Sequence, residues 1–144
     1  MTEEELGALV GRPIPGGEYV VDRYVDWLLA DVVGAEPDDA VAHPLLAYVA
    51  AARGKGLTWD ELFAVCGATA ADGPMFGEHE TELHRPLRIG ERLAVSGEFE
   101  SAERKTGKRT GPFDIIGFRL TLTGEDGEVA ATTRNSIVFP RRSA

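Results

Sequence analysis

Residues 116–137 read IGFRLTLTGEDGEVAATTRNSI, and this stretch decides the fold class. Ile116, Phe118, Leu120 and Leu122 alternate with Gly117, Arg119, Thr121 and Thr123, the period of two that gives a strand one core face. Glu125-Asp126-Gly127 is a tight-turn signal, and Val129, Ala131, Thr133, Asn135 and Ile137 form a return strand, so an antiparallel pair is expected. Upstream, Leu93, Val95, Gly97 and Phe99 alternate with Ala94, Ser96, Glu98 and Glu100 and add another strand. From Met75 onward the chain therefore reads as sheet.

The first half has helical texture instead. Residues 1–17 read as a lead-in loop, because Pro13, Pro15 and three glycines between 11 and 17 oppose regular structure, with the folded domain spanning 18–144. Glu18–Val21 reads as a brief strand. Asp22 then caps a helix to about Val33, with Tyr24, Trp27, Leu28 and Val32 at helical spacing and Gly34 as its stop. Pro44 suits the first turn of a mostly buried helix over residues 45–52, and Thr58-Trp59-Asp60-Glu61 has capping-box spacing ahead of a third, short helix. Helices followed by an antiparallel sheet make an α+β chain, and a sheet wrapped around a long central helix, the hotdog, is one such design.

At 144 residues with 43% hydrophobic content, the chain fits one domain with one core. Its net charge of −9 opposes nucleic acid and anionic lipid as partners. The lone cysteine, Cys66, excludes an internal disulfide, and the acidic N-terminus has no signal-peptide pattern, so a cytoplasmic location is expected. No apolar run approaches the roughly 20 residues of a membrane span. Three scattered histidines and one cysteine give no metal-ligand spacing.

The segment Gly77-Glu78-His79-Glu80-Thr81-Glu82-Leu83-His84-Arg85-Pro86-Leu87-Arg88-Ile89-Gly90-Glu91-Arg92-Leu93 resembles the strand-turn-strand of MaoC-like hotdog proteins, with the Pro86/Gly90 turn its most specific piece. The likeness extends over the charged stretch to Lys105, the 125–129 hairpin, and back to the opening Glu18-Tyr19-Val20-Val21 strand. In texture the chain is most similar to FAS1-like dehydratase N-terminal domains, which include substrate-holding, non-catalytic halves of heteromeric 3-hydroxyacyl-thioester dehydratases and enoyl-CoA hydratases. The resemblance implies a single hotdog acting on acyl thioesters. Coenzyme A or the phosphopantetheine of an acyl carrier then enters as part of the substrate, with no separate cofactor, and the partner is a catalytic MaoC-like subunit or a second copy of the chain.

Catalytic members of that family carry Asp and His in a G-D-x-N-P-x-H segment, which holds the water that adds to the double bond. The matching stretch here is Gly34-Ala35-Glu36-Pro37-Asp38-Asp39: Gly34 and Pro37 keep the frame, while Ala35 stands where the Asp belongs. Independent catalysis is therefore not expected. A rescue would use His43 oriented by Asp38 or Asp39 as a free-standing hydratase, against the plain reading of His43 as a residue ahead of Pro44 that touches solvent. A third reading is a thioester-binding or scaffolding protein without chemistry. Arg104, Lys105, Lys108 and Arg109 form a basic loop in an acidic chain, either a contact for the phosphates of coenzyme A or an acidic carrier, or a solvated turn. Leu45, Leu46, Val49 and Phe63 either line an acyl tunnel or are ordinary core.

Overall fold

Five antiparallel strands in the order β1-β3-β4-β5-β2 form one sheet in the computed structural model, which describes residues 1–141. The elements run α1 (Glu3–Gly7), β1 (Pro13–Val20), α2 (Arg23–Val32), α3 (Leu46–Gly54), α4 (Trp59–Val65), β2 (Met75–Leu83), β3 (Arg92–Gly107), β4 (Gly111–Thr123) and β5 (Val129–Pro140). β4 and β5 pair in register from Phe113↔Pro140 to Thr123↔Val129, as the alternation and the turn at Gly127 require. The inner face of the sheet contributes Leu93, Val95, Phe99, Ile116, Phe118, Leu120, Leu122 and Ile137 to the core. Against it lie Leu46, Ala47, Ala50 and Ala51 of α3 and Leu62 of α4. This is the hotdog arrangement of the α+β class.

Three sequence expectations are corrected. Residues 1–17 are not a lead-in loop: Thr2 and Glu5 close a reciprocal capping box on α1, Leu6 and Leu9 plug into the core, and β1 begins at Pro13. Prolines fit there because β1 is an edge strand, where a missing N–H on the open side costs no ladder bond.

The central helix is not long. α3 has nine residues, about 13 Å at 1.5 Å per residue. It ends at Gly54, where a Cβ would stand 2.3 Å from Val95 Cγ2, so only glycine lets the helix end touch β3.

α2 forms where its signals place it, with Asp22 accepting from the Tyr24 N–H at 2.6 Å, but its apolar stripe points outward. Tyr24, Trp27 and Val32 are 66%, 51% and 81% exposed, whereas Val25, Leu29 and Ala30 pack inward. Finally, the basic stretch is largely strand. Arg104 and Lys105 lie within β3, and only residues 108–110 connect it to β4.

Arg104 is spent on structure. It and Arg141 clamp the fully buried Asp114 carboxylate at 2.7–3.0 Å, and their remaining N–H groups bond the Met1, Cys66 and Gly67 carbonyls. Burial, the largest influence on Asp114, pushes its pKa up, but the bonds and charges of the two guanidinium groups together leave it lowered. The cluster ties Met1 and residues 66–67 to β3 and β4.

Candidate functional site

The Pro86/Gly90 turn is the anchor of the site. Arg85 grips Glu91 with two bonds of 2.9 Å and reaches Asp126 at 3.5 Å, joining the turn to the β4–β5 hairpin. Glu91 also accepts the Arg88 N–H at 2.8 Å. Gly90 adopts φ +86°, a left-handed value that admits glycine without strain, and its N–H bonds the Val21 carbonyl at 2.7 Å. The motif that carries the family likeness is thus a structural clamp.

Onto this clamp folds the segment between α2 and α3. Ala42 N–H bonds Leu87 O, Ile89 N–H bonds Ala40 O, and Val41 bridges to Arg88. Asp38 bends the segment by accepting the Ala40 and Val41 N–H groups at 2.7 and 2.9 Å, which lowers its pKa. Two surface depressions result. One of about 230 Å³ is lined by Asp26, Ala30, Pro37, Val41, His43 and Pro44. The other, about 430 Å³, lies against Tyr24, Trp27, Asp26 and Pro37.

The acid–imidazole arrangement that a rescue by His43 with Asp38 or Asp39 would need is not formed among the described residues. Asp38 is committed to backbone N–H groups, and Asp39 faces solvent in an ion pair with Arg23 at 3.1 Å. His43 Nδ1 accepts the Leu45 N–H at 3.1 Å, so that nitrogen cannot donate to an orienting carboxylate. Ala35 has only a methyl group to offer at the Asp position. The acid that does approach is Asp26, a buried carboxylate on α2 that accepts the His43 backbone N–H at 2.7 Å. It positions the His43 main chain rather than the ring. Sequence reading did not single out Asp26, although it stands four residues before the inward Ala30, on the same face of α2.

The other site expectations divide. Leu46 is entirely core, Val49 and Phe63 pack on the core's edge, and Leu45 is exposed at the start of α3. The seam between α3 and the sheet, beside Tyr48, Ala51 and Trp59, has no room for a water molecule. Lys105 pairs with Glu103 at 3.3 Å, while Lys108 and Arg109 are exposed at the β3–β4 connection. β3 starts next to the clamp and runs 16 residues, about 50 Å, to that connection, so the basic tip and the His43 depression lie at opposite ends of the protomer.

An aromatic strip leads from the helices to the sheet edge. Trp59 meets Phe63 and Phe76, and Tyr48 stands edge-on to His79 with ring centres 4.9 Å apart. His79 bonds Asn135 and Thr81 at 2.6 Å through its two ring nitrogens. All nine residues of β2 are exposed.

Comparison with known proteins agrees with this architecture. The family model of the FAS1-like dehydratase domain region matches residues 37–133, and the chain belongs to that family. Among solved structures, it is similar to a chain of the ChsH1-ChsH2 complex from Mycobacterium tuberculosis, with 18% identity, a TM-score of 0.73, and coverage of 99% of this chain and 93% of that one. A chain of the HadBC (3R-hydroxyacyl-ACP dehydratase) complex from the same organism has 18% identity, a TM-score of 0.67 and coverage of 90% and 96%. The MaoC-like dehydratase from Rhodospirillum rubrum has 17% identity, a TM-score of 0.64 and coverage of 94% of both chains. At these identities the likeness shows the fold. No sequence among proteins of curated function matches. No helix among the described residues is long and apolar enough to cross a membrane.

Proposed function

We propose that this chain is the non-catalytic, substrate-binding hotdog subunit of a heteromeric enoyl-thioester hydratase or 3-hydroxyacyl-thioester dehydratase. The observation that carries the reading is the state of the overhanging segment. It is fully folded and clamped, yet the Asp position is Ala35, Asp38 and Asp39 are committed elsewhere, and His43 Nδ1 accepts a backbone N–H.

Reversible hydration needs a base for water, a proton for the α-carbon, and donors at the thioester oxygen. A chain that preserves the scaffold without the base supplies shape. The depression beside Trp27 and the aromatic strip ending at Phe76 form apolar walls for an acyl chain once a partner closes over them. Lys108 and Arg109, at the opposite end of this protomer, do not reach the same thioester as that depression; they offer cations to coenzyme A phosphates or an acidic carrier protein at a site that the partner subunit completes. Two of the structural relatives come from complexes whose names carry two components, ChsH1-ChsH2 and HadBC, which supports a heteromeric assembly.

The test is hydration of crotonyl-CoA and of a longer enoyl-CoA by the purified chain alone, then mixed with a catalytic hotdog subunit. No activity from this chain alone, together with a raised rate and a longer-chain preference when it is added to the catalytic subunit, supports the proposal. An unchanged rate and preference on adding this chain refutes it. A second reading, a free-standing hydratase using His43, draws on the depression that His43 shares with buried Asp26, and brisk turnover by the chain alone would establish it.

A further inference from the structure

Asp26 is a carboxylate buried where nothing neutralises it. It is 2% exposed, its Oδ1 takes the His43 N–H at 2.7 Å, and its Oδ2 has no hydrogen-bond or ion-pair partner among the described residues. The other deeply buried acid, Asp114, is held instead by two guanidinium groups. The little surface that Asp26 keeps opens on the 430 Å³ depression and on its 230 Å³ neighbour. A carboxylate oxygen in that setting has lost most of its water without gaining a donor, and a ligand that brings one is favoured there.

The larger depression supplies the rest of a cation site. Tyr24 and Trp27 are about one helical turn apart on α2, so both line the same wall, and they are 66% and 51% exposed. The faces of such rings carry the negative side of the aromatic quadrupole and attract an ammonium group. Asp22 and Asp38 border the depression, bonded to backbone N–H groups, and Asp39 is matched by Arg23. Those three are ordinary cap, turn and surface residues that set the sign of the field, while Asp26 is the group that needs a partner.

Other ligands leave part of this unmatched. An anionic group meets like charge. A plain alkyl end covers the rings but seals Oδ2 away from water with no donor. A hydroxyl satisfies Oδ2 and leaves the charge and the ring faces unused. Among the described residues no three ligating side chains converge to hold a metal ion. A protonated amine on an apolar stem gives an N–H to Oδ2, a charge to the carboxylate and a cation to the rings.

We infer that Asp26, Tyr24 and Trp27 form a binding site for an organic ammonium group, and that the acyl group this subunit holds carries one. The inference rests on the proposed substrate-binding role and names the acyl class. Asp26 is assigned to binding and to no bond-making step.

The probes are ω-aminooctanoyl, ω-hydroxyoctanoyl and octanoyl thioesters of N-acetylcysteamine, which keep the thioester and lack the phosphates of coenzyme A. Calorimetric titration at neutral pH uses the full chain, alone and mixed with a catalytic hotdog subunit. The expected dissociation constant for the ω-amino probe is at least about tenfold below that for octanoyl. In Asp26→Asn, whose Oδ1 still accepts the His43 N–H, the preference should fall to about one, and Trp27→Leu, which keeps an apolar wall, should reduce it several fold. Octanoyl or ω-hydroxyoctanoyl binding as tightly as the amine, a preference that survives Asp26→Asn, or no binding of any probe in either setting overturns the inference. If Asp26→Asn does not fold, Trp27→Leu, at a half-exposed position, is read by the same criteria. Equal binding of the three probes sinks the ammonium class alone, whereas a chain that leaves the hydration rate and preference of its catalytic partner unchanged sinks the substrate-binding role itself.

Discussion

Removing the guanidinium of Arg85 should cost this protein more than any substitution of a solvent-facing arginine. The Arg85 and Glu91 side chains are each 11% exposed and share two 2.9 Å bonds, and Arg85 also donates to the Pro86 carbonyl. Breaking a buried pair by deleting one partner typically costs about 3–5 kcal/mol, since the survivor stays buried without compensation. Arg88 and its N–H remain near Glu91 and relieve part of that cost, so Arg85→Ala should lose about 3 kcal/mol. With a urea slope of about 2 kcal/mol/M, the unfolding midpoint should fall by about 1.5 M. The control is Arg92→Ala. The Arg92–Glu18 bond is just as short, 2.8 Å, but its side chains are 55% and 61% exposed, and such pairs contribute below about 1 kcal/mol. Equal losses in the two variants, measured by equilibrium unfolding at one protein concentration, would refute the clamp.

Three further outcomes are expected. Burial pushes the Cys66 thiol up to about 12, so Ellman's reagent at pH 8 should label it only after unfolding, and rapid native labelling would contradict its place in the core. Asp114 and Glu91 both have lowered pKa values in the folded state, so their stabilisation is complete above the ordinary carboxylate range and is lost as pH falls through the folded values. Asp114→Asn should flatten the acid limb of the stability–pH curve, and an unchanged limb would count against the Arg104–Asp114–Arg141 cluster. Lys108→Ala/Arg109→Ala should weaken binding of a CoA thioester to the assembled complex and reduce its salt dependence, whereas unchanged affinity and salt dependence would make the tip a solvated turn.

Much of the fold was legible because it follows from local rules. The alternation over residues 93–99 and 116–137 set the strands, and the Thr58 and Asp22 caps set two helix starts. What failed needed tertiary knowledge. Prolines at 13 and 15 read as breakers because nothing local says that β1 lies at an edge. The direction of the α2 stripe was not legible, because periodicity reports that a face exists and not which way it points. The site was legible only as an absence: Ala35 marked the missing acid, but the commitment of Asp38 to backbone groups and the approach of Asp26 to His43 arise from the clamp. Arg104 looked like a ligand-binding cation because its partner Asp114 sits ten residues away on the neighbouring strand.

The central claim is that this chain shapes an acyl site and leaves the chemistry to its partner. In a reconstituted complex with a catalytic hotdog subunit, kcat for enoyl-CoA hydration should be compared between His43→Ala in this chain and substitution of the partner's own general base. Little change is expected from the first and a loss of about two to four orders of magnitude from the second. A collapse of kcat in the His43→Ala complex, with the partner's substitution tolerated, would contradict it.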